Sequence, residues 1–104
     1  EFTVAPQVAP REGMPHHEWL IEFSVVPNSL ESFSLELDNH LRRLNVYYDD
    51  LIAGSILRTL RITSLRKNGF IDYMKSQGKL GGQNKVPRLS NDRKIAEELV
   101  KFAV

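Results

Sequence analysis

The residues best suited to chemistry lie in a basic stretch, residues 78–93, between two predicted helices. Its first half contains three glycines within five positions: Gly78, Gly81 and Gly82. Glycines leave the backbone without Cβ constraints, so this half can approach a ligand or another protein surface closely. Pro87 then stiffens the exit. Lys85 stands between the two halves, which suits a cationic side chain that a moving loop delivers to a defined point.

This loop does not have the pattern of a phosphate-cradling P-loop, which requires G-x-x-x-x-G-K-[ST] running from a strand into a helix. Gln83 occupies the position of the second glycine, and Val86 follows the lysine. Pro87 also prevents a helix from beginning directly after Lys85. The pattern instead predicts a lysine that reaches a phosphate or carboxylate held by another domain, with Gln83 and Arg88 as further hydrogen-bond donors.

The charges are distributed unevenly along the chain, although the net charge is only +1. Residues 1–57 contain nine acidic and three basic residues, whereas residues 58–94 contain ten basic and two acidic ones. A basic half attracts phosphates, nucleic acid or an acidic protein face. The alternative hypothesis is therefore a free-standing basic module that binds nucleic acid or an acidic partner. Nucleic acid is the less favoured ligand, because residues 78–93 contain no aromatic residue on which a base could stack.

Length and composition limit the classes of protein further. The chain has 104 residues, enough for one domain with a single core. No apolar run approaches the roughly 20 residues of a membrane helix, so we expect no membrane association. The absence of cysteine excludes disulfides and thiolate chemistry and makes the cytoplasm the expected compartment. Because the chain begins at Glu1 with no signal segment, we expect it to be a piece whose N-terminal part is missing.

Histidine and acidic residues suggest no metal site. His16 and His17 are adjacent in a segment predicted to be extended, so their side chains point to opposite faces and cannot readily share one ion. No HExxH motif is present. The sequence therefore predicts no metal site.

Alternating apolar residues predict the sheet. A short strand is expected at residues 2–4, and the clearest strand spans residues 19–25, with its odd positions on one packed face: Trp19, Ile21, Phe23 and Val25. Leu20 is the apolar exception on the face predicted to be outside. A further strand is expected within residues 57–66. The expected fold is an α+β domain, a small and mainly antiparallel sheet of three to four strands with helices packed on it.

Helical periodicity predicts the elements that position the loop. A first helix should begin at the cap Asn28 and place its apolar stripe on the Trp19 face; Glu31, Glu36, Asp38, Arg42 and Arg43 form its solvated side. A second helix is predicted over residues 46–53, ending near Gly54. The helix before the loop should end with Gly78 in the C′ position. A last helix, capped by Ser90, Asn91 or Asp92, should follow the loop.

The run Gly-Gly-Gln-Asn-Lys-Val-Pro-Arg at residues 81–88 resembles the signature near the C-terminus of the auxin-responsive (Gretchen Hagen) family of acyl-acid amido synthetases. This family belongs to the adenylate-forming superfamily. Three other segments resemble the family in the same order, so that the resemblance covers nearly the whole chain: residues 17–23, 44–48 and 61–78. The first of these resembles the bacterial-type members. The chain departs from plant members after Tyr48, where it has two aspartates in place of a basic residue.

The resemblance implies that residues 1–104 form the mobile C-terminal lid domain of a larger enzyme. The absent N-terminal domain would carry the ATP-binding motifs and the acyl-acid pocket. The full-length enzyme would use ATP and Mg²⁺ to form an acyl-adenylate, which an amino acid then attacks to give an amide. Lys85 would stabilise charge during adenylation, and the nucleotide-proximal loop would contribute Gly81, Gly82, Gln83 and Arg88. The chain alone is expected to bind no cofactor and to be inactive.

Overall fold

The computed structural model describes residues 1–8, 13–78 and 86–104. Their helices and strands are, in order, β1 (Phe2–Gln7), β2 (His16–Ile21), α1 (Leu30–Leu44), α2 (Val46–Ala53), β3 (Arg61–Ser64), α3 (Gly69–Ser76) and α4 (Lys94–Leu99), followed by a 3₁₀ turn (Val100–Phe102). The α+β class predicted from the sequence is confirmed. Among the described residues, no helix is both long and apolar enough to cross a bilayer.

The described strands form one three-stranded sheet in the order β1-β2-β3. β1 and β2 are antiparallel, with Phe2 opposite Ile21. β2 and β3 are parallel, with Glu18 opposite Arg61. The parallel pair arises because α1 and α2 lie between these strands and return the chain to the end of the sheet where β2 began. The sheet is therefore mixed, with one antiparallel and one parallel pair.

The main core lies on the face of the sheet to which Leu20 points. Leu20 is 0% exposed and belongs to a cluster that joins the sheet to α3 and α4, whose other buried members are Ala5, Leu65, Phe70, Tyr73, Val86, Ala96 and Leu99. The prediction that Leu20 faces outward was wrong. Alternation correctly puts Leu20 and Trp19 on opposite faces of the sheet. Helices cover both faces, however, and the face that bears Leu20 is the more deeply buried of the two. Trp19 itself is half-buried.

The Trp19 face is covered by α1 and α2. Phe23 and Phe33 meet edge to face with ring centroids 5.4 Å apart, which packs the first half of α1 beside the end of β2. His17 stacks on Tyr48 of α2 at 5.6 Å. Strand β2 ends at Ile21, earlier than predicted, and Val25 beyond it is exposed.

Two caps define the first two helices. Ser29 rather than the predicted Asn28 caps α1, because its Oγ accepts a hydrogen bond from the Ser32 backbone N–H at 3.1 Å. Asn45 separates the helices: its backbone N–H donates to the Leu41 carbonyl, and its Oδ1 accepts from the Tyr48 N–H at 3.1 Å. The predicted span of α2, residues 46–53, is confirmed. A single residue therefore ends one helix and begins the next.

Candidate functional site

The structure describes the two ends of the predicted loop. Gly81, Gly82, Gln83 and Lys85 lie outside the described residues, so their predicted roles stay predictions. Arg88 is described. The candidate site is therefore built from the helix that leads into the loop, the segment that follows it, and the surface beside Arg88.

Helix α3 leads into the loop and is fixed at both ends. At its C-terminus Gly78 has φ +66° and donates its N–H to the Lys75 carbonyl at 3.0 Å, which confirms the predicted C′ position. At its N-terminus Asn68 provides no side-chain cap. The carboxylate of Glu22 takes that role, accepting hydrogen bonds from the Asn68 and Phe70 N–H groups at 3.0 Å each. Glu22 lies 46 positions before Asn68, so no local sequence pattern indicates this contact.

The segment after the loop is anchored on the edge of the sheet. Val86 is buried in the main core. The hydroxyl of Thr3 donates a hydrogen bond to the Pro87 carbonyl. Next, the Val4 N–H donates to the Arg88 carbonyl at 2.8 Å, and the Ser90 N–H donates to the Val4 carbonyl at 2.9 Å. The chain thus returns from the loop in a fixed position beside β1.

The side chain of Arg88 is held without being neutralised. Its guanidinium lies 5.2 Å from the centroid of the Phe2 ring, and that ring stacks on Trp19 at 5.4 Å with an interplanar angle of 19°. Its Nε is 3.8 Å from Glu1 Oε1, a loose ion pair, and the side chain is 70% exposed. Since a guanidinium has five N–H donors, Arg88 retains donors for an anionic group presented from outside this chain.

A groove of about 610 Å³ borders Arg88. Its lining is mainly apolar, with four aromatic rings and a few amide and hydroxyl groups: Phe2, Val4, Ala5, Pro6, His17, Trp19, Leu41, Asn45, Tyr48, Leu89, Ser90 and Asn91. The volume falls in the range of small-molecule sites, roughly 300–1,000 Å³. The groove therefore places an apolar surface directly beside an exposed cation.

The protein-family model described as the C-terminal domain of the GH3 family matches residues 1–94. The chain belongs to the GH3 family. The match confirms the family resemblance that was inferred from the loop signature. The assignment to its bacterial type stays a prediction. A search of curated proteins found no match.

Two solved structures have the same fold as this GH3 domain. The first, titled "AtGH3.15 acyl acid amido synthetase in complex with 2,4-DB", is 13% identical with a TM-score of 0.72, and the match covers 100% of this chain and 20% of that one. The second, titled "GH3.15 acyl acid amido synthetase", is 15% identical with a TM-score of 0.73, covering 100% of this chain and 19% of that one. The GH3 domain thus spans about a fifth of each chain that it matches.

Tyr48, which lines the groove, is hydrogen-bonded to a buried carboxylate that the sequence pattern placed in solvent. Asp38 is 3% exposed, and its carboxylate accepts hydrogen bonds from the Tyr48 hydroxyl and, at 3.4 Å, from the Leu60 N–H. The prediction of a solvated Asp38 was wrong, because these donors replace the water that a carboxylate needs. Burial, and then the bond to Asp38, raise the pKa of Tyr48 above its usual value. Its hydroxyl is therefore a protonated structural donor and not a base.

His17, which stacks on Tyr48, is also a partly buried titratable side chain. Burial, and then the neighbouring His16, lower the pKa of His17 below its usual value, so its ring is neutral at pH 7. Within residues 1–8, 13–78 and 86–104, no group of three or more His, Asp and Glu side chains is arranged to hold a metal ion. The described part of the groove offers a ligand an apolar surface, and the Tyr48 hydroxyl that lines it is already engaged by Asp38.

The basic half of the GH3 domain carries less free charge than the sequence count suggests. Arg66 pairs with Asp72 at 2.7 Å. Arg93 pairs with Glu18 at 2.7 Å, and both side chains are largely buried. These pairs reduce the positive charge available to a nucleic acid, and the family match likewise does not favour a nucleic-acid-binding module.

Proposed function

We propose that this GH3 domain is the mobile C-terminal domain of an ATP-dependent acyl acid amido synthetase and that its loop supplies Lys85 to an active site on the N-terminal domain. The observation that carries the proposal is the family match over residues 1–94, which includes the loop signature. The anchored exit supports it, because Val86, directly after Lys85, is buried in the core. A cytoplasmic location remains a prediction.

The proposed reaction has two steps. In the first, the carboxylate of an acyl acid attacks the α-phosphate of ATP, giving an acyl-adenylate and releasing pyrophosphate. In the second, the amine of an amino acid attacks the acyl carbon, giving the amide and releasing AMP. Lys85 stabilises negative charge as the acyl-adenylate forms. Gly81 and Gly82 permit close approach of the loop, while Gln83 positions it.

Among the described residues, Arg88 is suited to contact an anionic nucleotide. Arg88 is exposed, forms a loose ion pair with Glu1, and lies beside a mainly apolar groove. It would donate hydrogen bonds to a phosphate or carboxylate oxygen of the bound reactants. We assign Mg²⁺ binding to the N-terminal domain, because that domain would carry the ATP-binding motifs.

The decisive experiment separates the two steps in the full-length enzyme. Lys85→Ala should slow ATP-pyrophosphate exchange by about 10²-fold, the scale of losing one preorganised charge donor. Amide formation from a supplied acyl-adenylate should change much less. Lys79→Ala is the matched control, since it removes the same charge from the same loop outside the signature. Equal slowing of both steps by both variants would show that Lys85 has no specific role in adenylation.

The chain described here should not bind ATP tightly by itself, because it supplies only part of the site. Titration calorimetry with ATP measures this directly, and micromolar affinity would contradict the proposal. The nucleic-acid alternative predicts DNA binding that weakens steeply as salt is raised. A GH3 lid domain should show no such binding.

A further inference from the structure

Thr3 is the polar residue most deeply buried beside the loop exit. It is 0% exposed, lies in β1 opposite Leu20, and shares with Leu20 the face that bears the main core. A hydroxyl in apolar surroundings is costly unless it is hydrogen-bonded. Its partner is the Pro87 carbonyl, 84 residues away in the sequence. The chain therefore places a buried donor at the residue where the loop rejoins the sheet.

Pro87 depends on this donor for its backbone contact. Proline has no N–H, so its carbonyl is the one backbone group through which it can bind the neighbouring strand. The residues on either side are fixed by other means: Val86 by burial in the core and Arg88 by the Val4 N–H. Thr3 thus completes an anchor of three consecutive residues, Val86, Pro87 and Arg88.

We propose that Thr3 is a positioning residue for the adenylation step: its hydroxyl fixes the exit of the loop, and so fixes where Lys85 is delivered. The part of this inference that concerns Lys85 rests on the proposed function. Lys85 directly precedes Val86, so its backbone begins from the anchored segment with no intervening residue. A displaced exit would move the lysine away from the charge that it stabilises, and small displacements of this kind are expensive in rate.

The test compares Thr3→Val with Thr63→Val in the full-length enzyme. Valine has nearly the shape of threonine without its hydroxyl. Thr63 is the matched control: it lies in the same sheet, and its hydroxyl donates to Glu18 instead of the loop exit. Thr3→Val should lower kcat for ATP-pyrophosphate exchange about tenfold while the KM values for the acid and ATP change less than about twofold. Thr3→Ser keeps the hydroxyl and should restore the rate.

Hydrogen exchange provides a second readout at the exit itself. The Ser90 amide donates to the Val4 carbonyl, so it reports opening of the anchored segment. In the full-length protein, Thr3→Val should accelerate exchange of this amide about five- to tenfold, the scale of one lost hydrogen bond. Thr63→Val and Thr3→Ser should leave it near the wild-type rate. If Thr3→Val does not fold, Thr3→Ala removes the same hydroxyl without adding a methyl group.

Equal effects of Thr3→Val and Thr63→Val on kcat and on the Ser90 amide would overturn the inference and leave Thr3 an ordinary structural residue. Accelerated Ser90 exchange with unchanged kcat would also overturn it, because the anchor would then not position the reacting group. If the wild-type full-length protein shows no ATP-pyrophosphate exchange with any acyl acid, the proposed function fails instead. The Ser90 amide then decides alone whether Thr3 holds the exit.

Discussion

The hydroxyl of Tyr48 donates a hydrogen bond to the buried carboxylate of Asp38, joining α2 to α1 across ten residues of sequence. The backbone N–H of Leu60, just before β3, is directed at the same carboxylate oxygen. One acidic side chain thus connects two helices and the chain that enters the sheet. Because a buried charge without partners is costly, the pairing matters more to stability than an exposed hydrogen bond would.

Removing the Tyr48 hydroxyl should therefore destabilise the fold. Tyr48→Phe keeps the ring stacked on His17 but removes the hydroxyl that Asp38 accepts from. Among the described residues, Asp38 then keeps the hydrogen bond of 3.4 Å from the Leu60 N–H. We expect a loss of about 1–3 kcal/mol in the free energy of unfolding, measured by urea denaturation. Tyr47→Phe is the control: the same hydroxyl is removed from a side chain that is 80% exposed, and the change should be within about 0.5 kcal/mol. Similar losses in both variants would contradict the role assigned to Asp38.

A second prediction concerns the position of the core. Leu20 is fully buried between the sheet, α3 and α4, whereas Leu44 at the end of α1 is 84% exposed. Leu20→Ala should cost about 2–5 kcal/mol through lost burial and the cavity left behind. Leu44→Ala should cost less than about 0.5 kcal/mol by the same denaturant measurement. A small loss for Leu20→Ala would show that the main core lies on the Trp19 face after all.

A third prediction concerns pH. The folded chain lowers the pKa of His17 below its usual value of 6.5, so below that pH the unfolded chain binds more protons at this site than the folded one. The stability that neutral His17 contributes should be present at pH 7 and decline as the pH falls through 6.5 toward the folded pKa. The difference in unfolding free energy between the wild type and His17→Gln should shrink over this window. His40→Gln, at an exposed position, is the control. A difference that stays constant with pH would refute the assignment.

Local signals in the sequence predict much of the helical structure. The span of α2 and the glycine that follows α3 were predicted correctly, because end residues and periodicity act within a few positions of the chain. The family could be identified from the loop signature for a different reason, since matching a stretch of sequence does not depend on knowing the fold.

The contacts that define the core and the loop ends could not be predicted in this way. Leu20 was misplaced because alternation identifies two faces but not which one is buried more deeply. Asp38 was misplaced because its donors come from Tyr48 and from the chain before β3, and an amphipathic pattern treats every carboxylate as solvated. The contacts of Thr3 and Glu22 join residues 46 to 84 positions apart. No local pattern specifies such pairs.

The cap that Glu22 provides for α3 has a consequence for the order of folding. α3 has eight residues, too few to be stable alone in water, and the group that satisfies its first turn belongs to a residue 46 positions earlier. We expect Glu22 to reach that turn once β2 has paired with β3. This parallel pairing is slow to form, because the long segment that contains α1 and α2 must first be closed into a loop. In refolding kinetics α3 should therefore gain protection together with the sheet and not before it. We therefore expect α3 to form late, through a non-local contact, although its residues are local in the sequence.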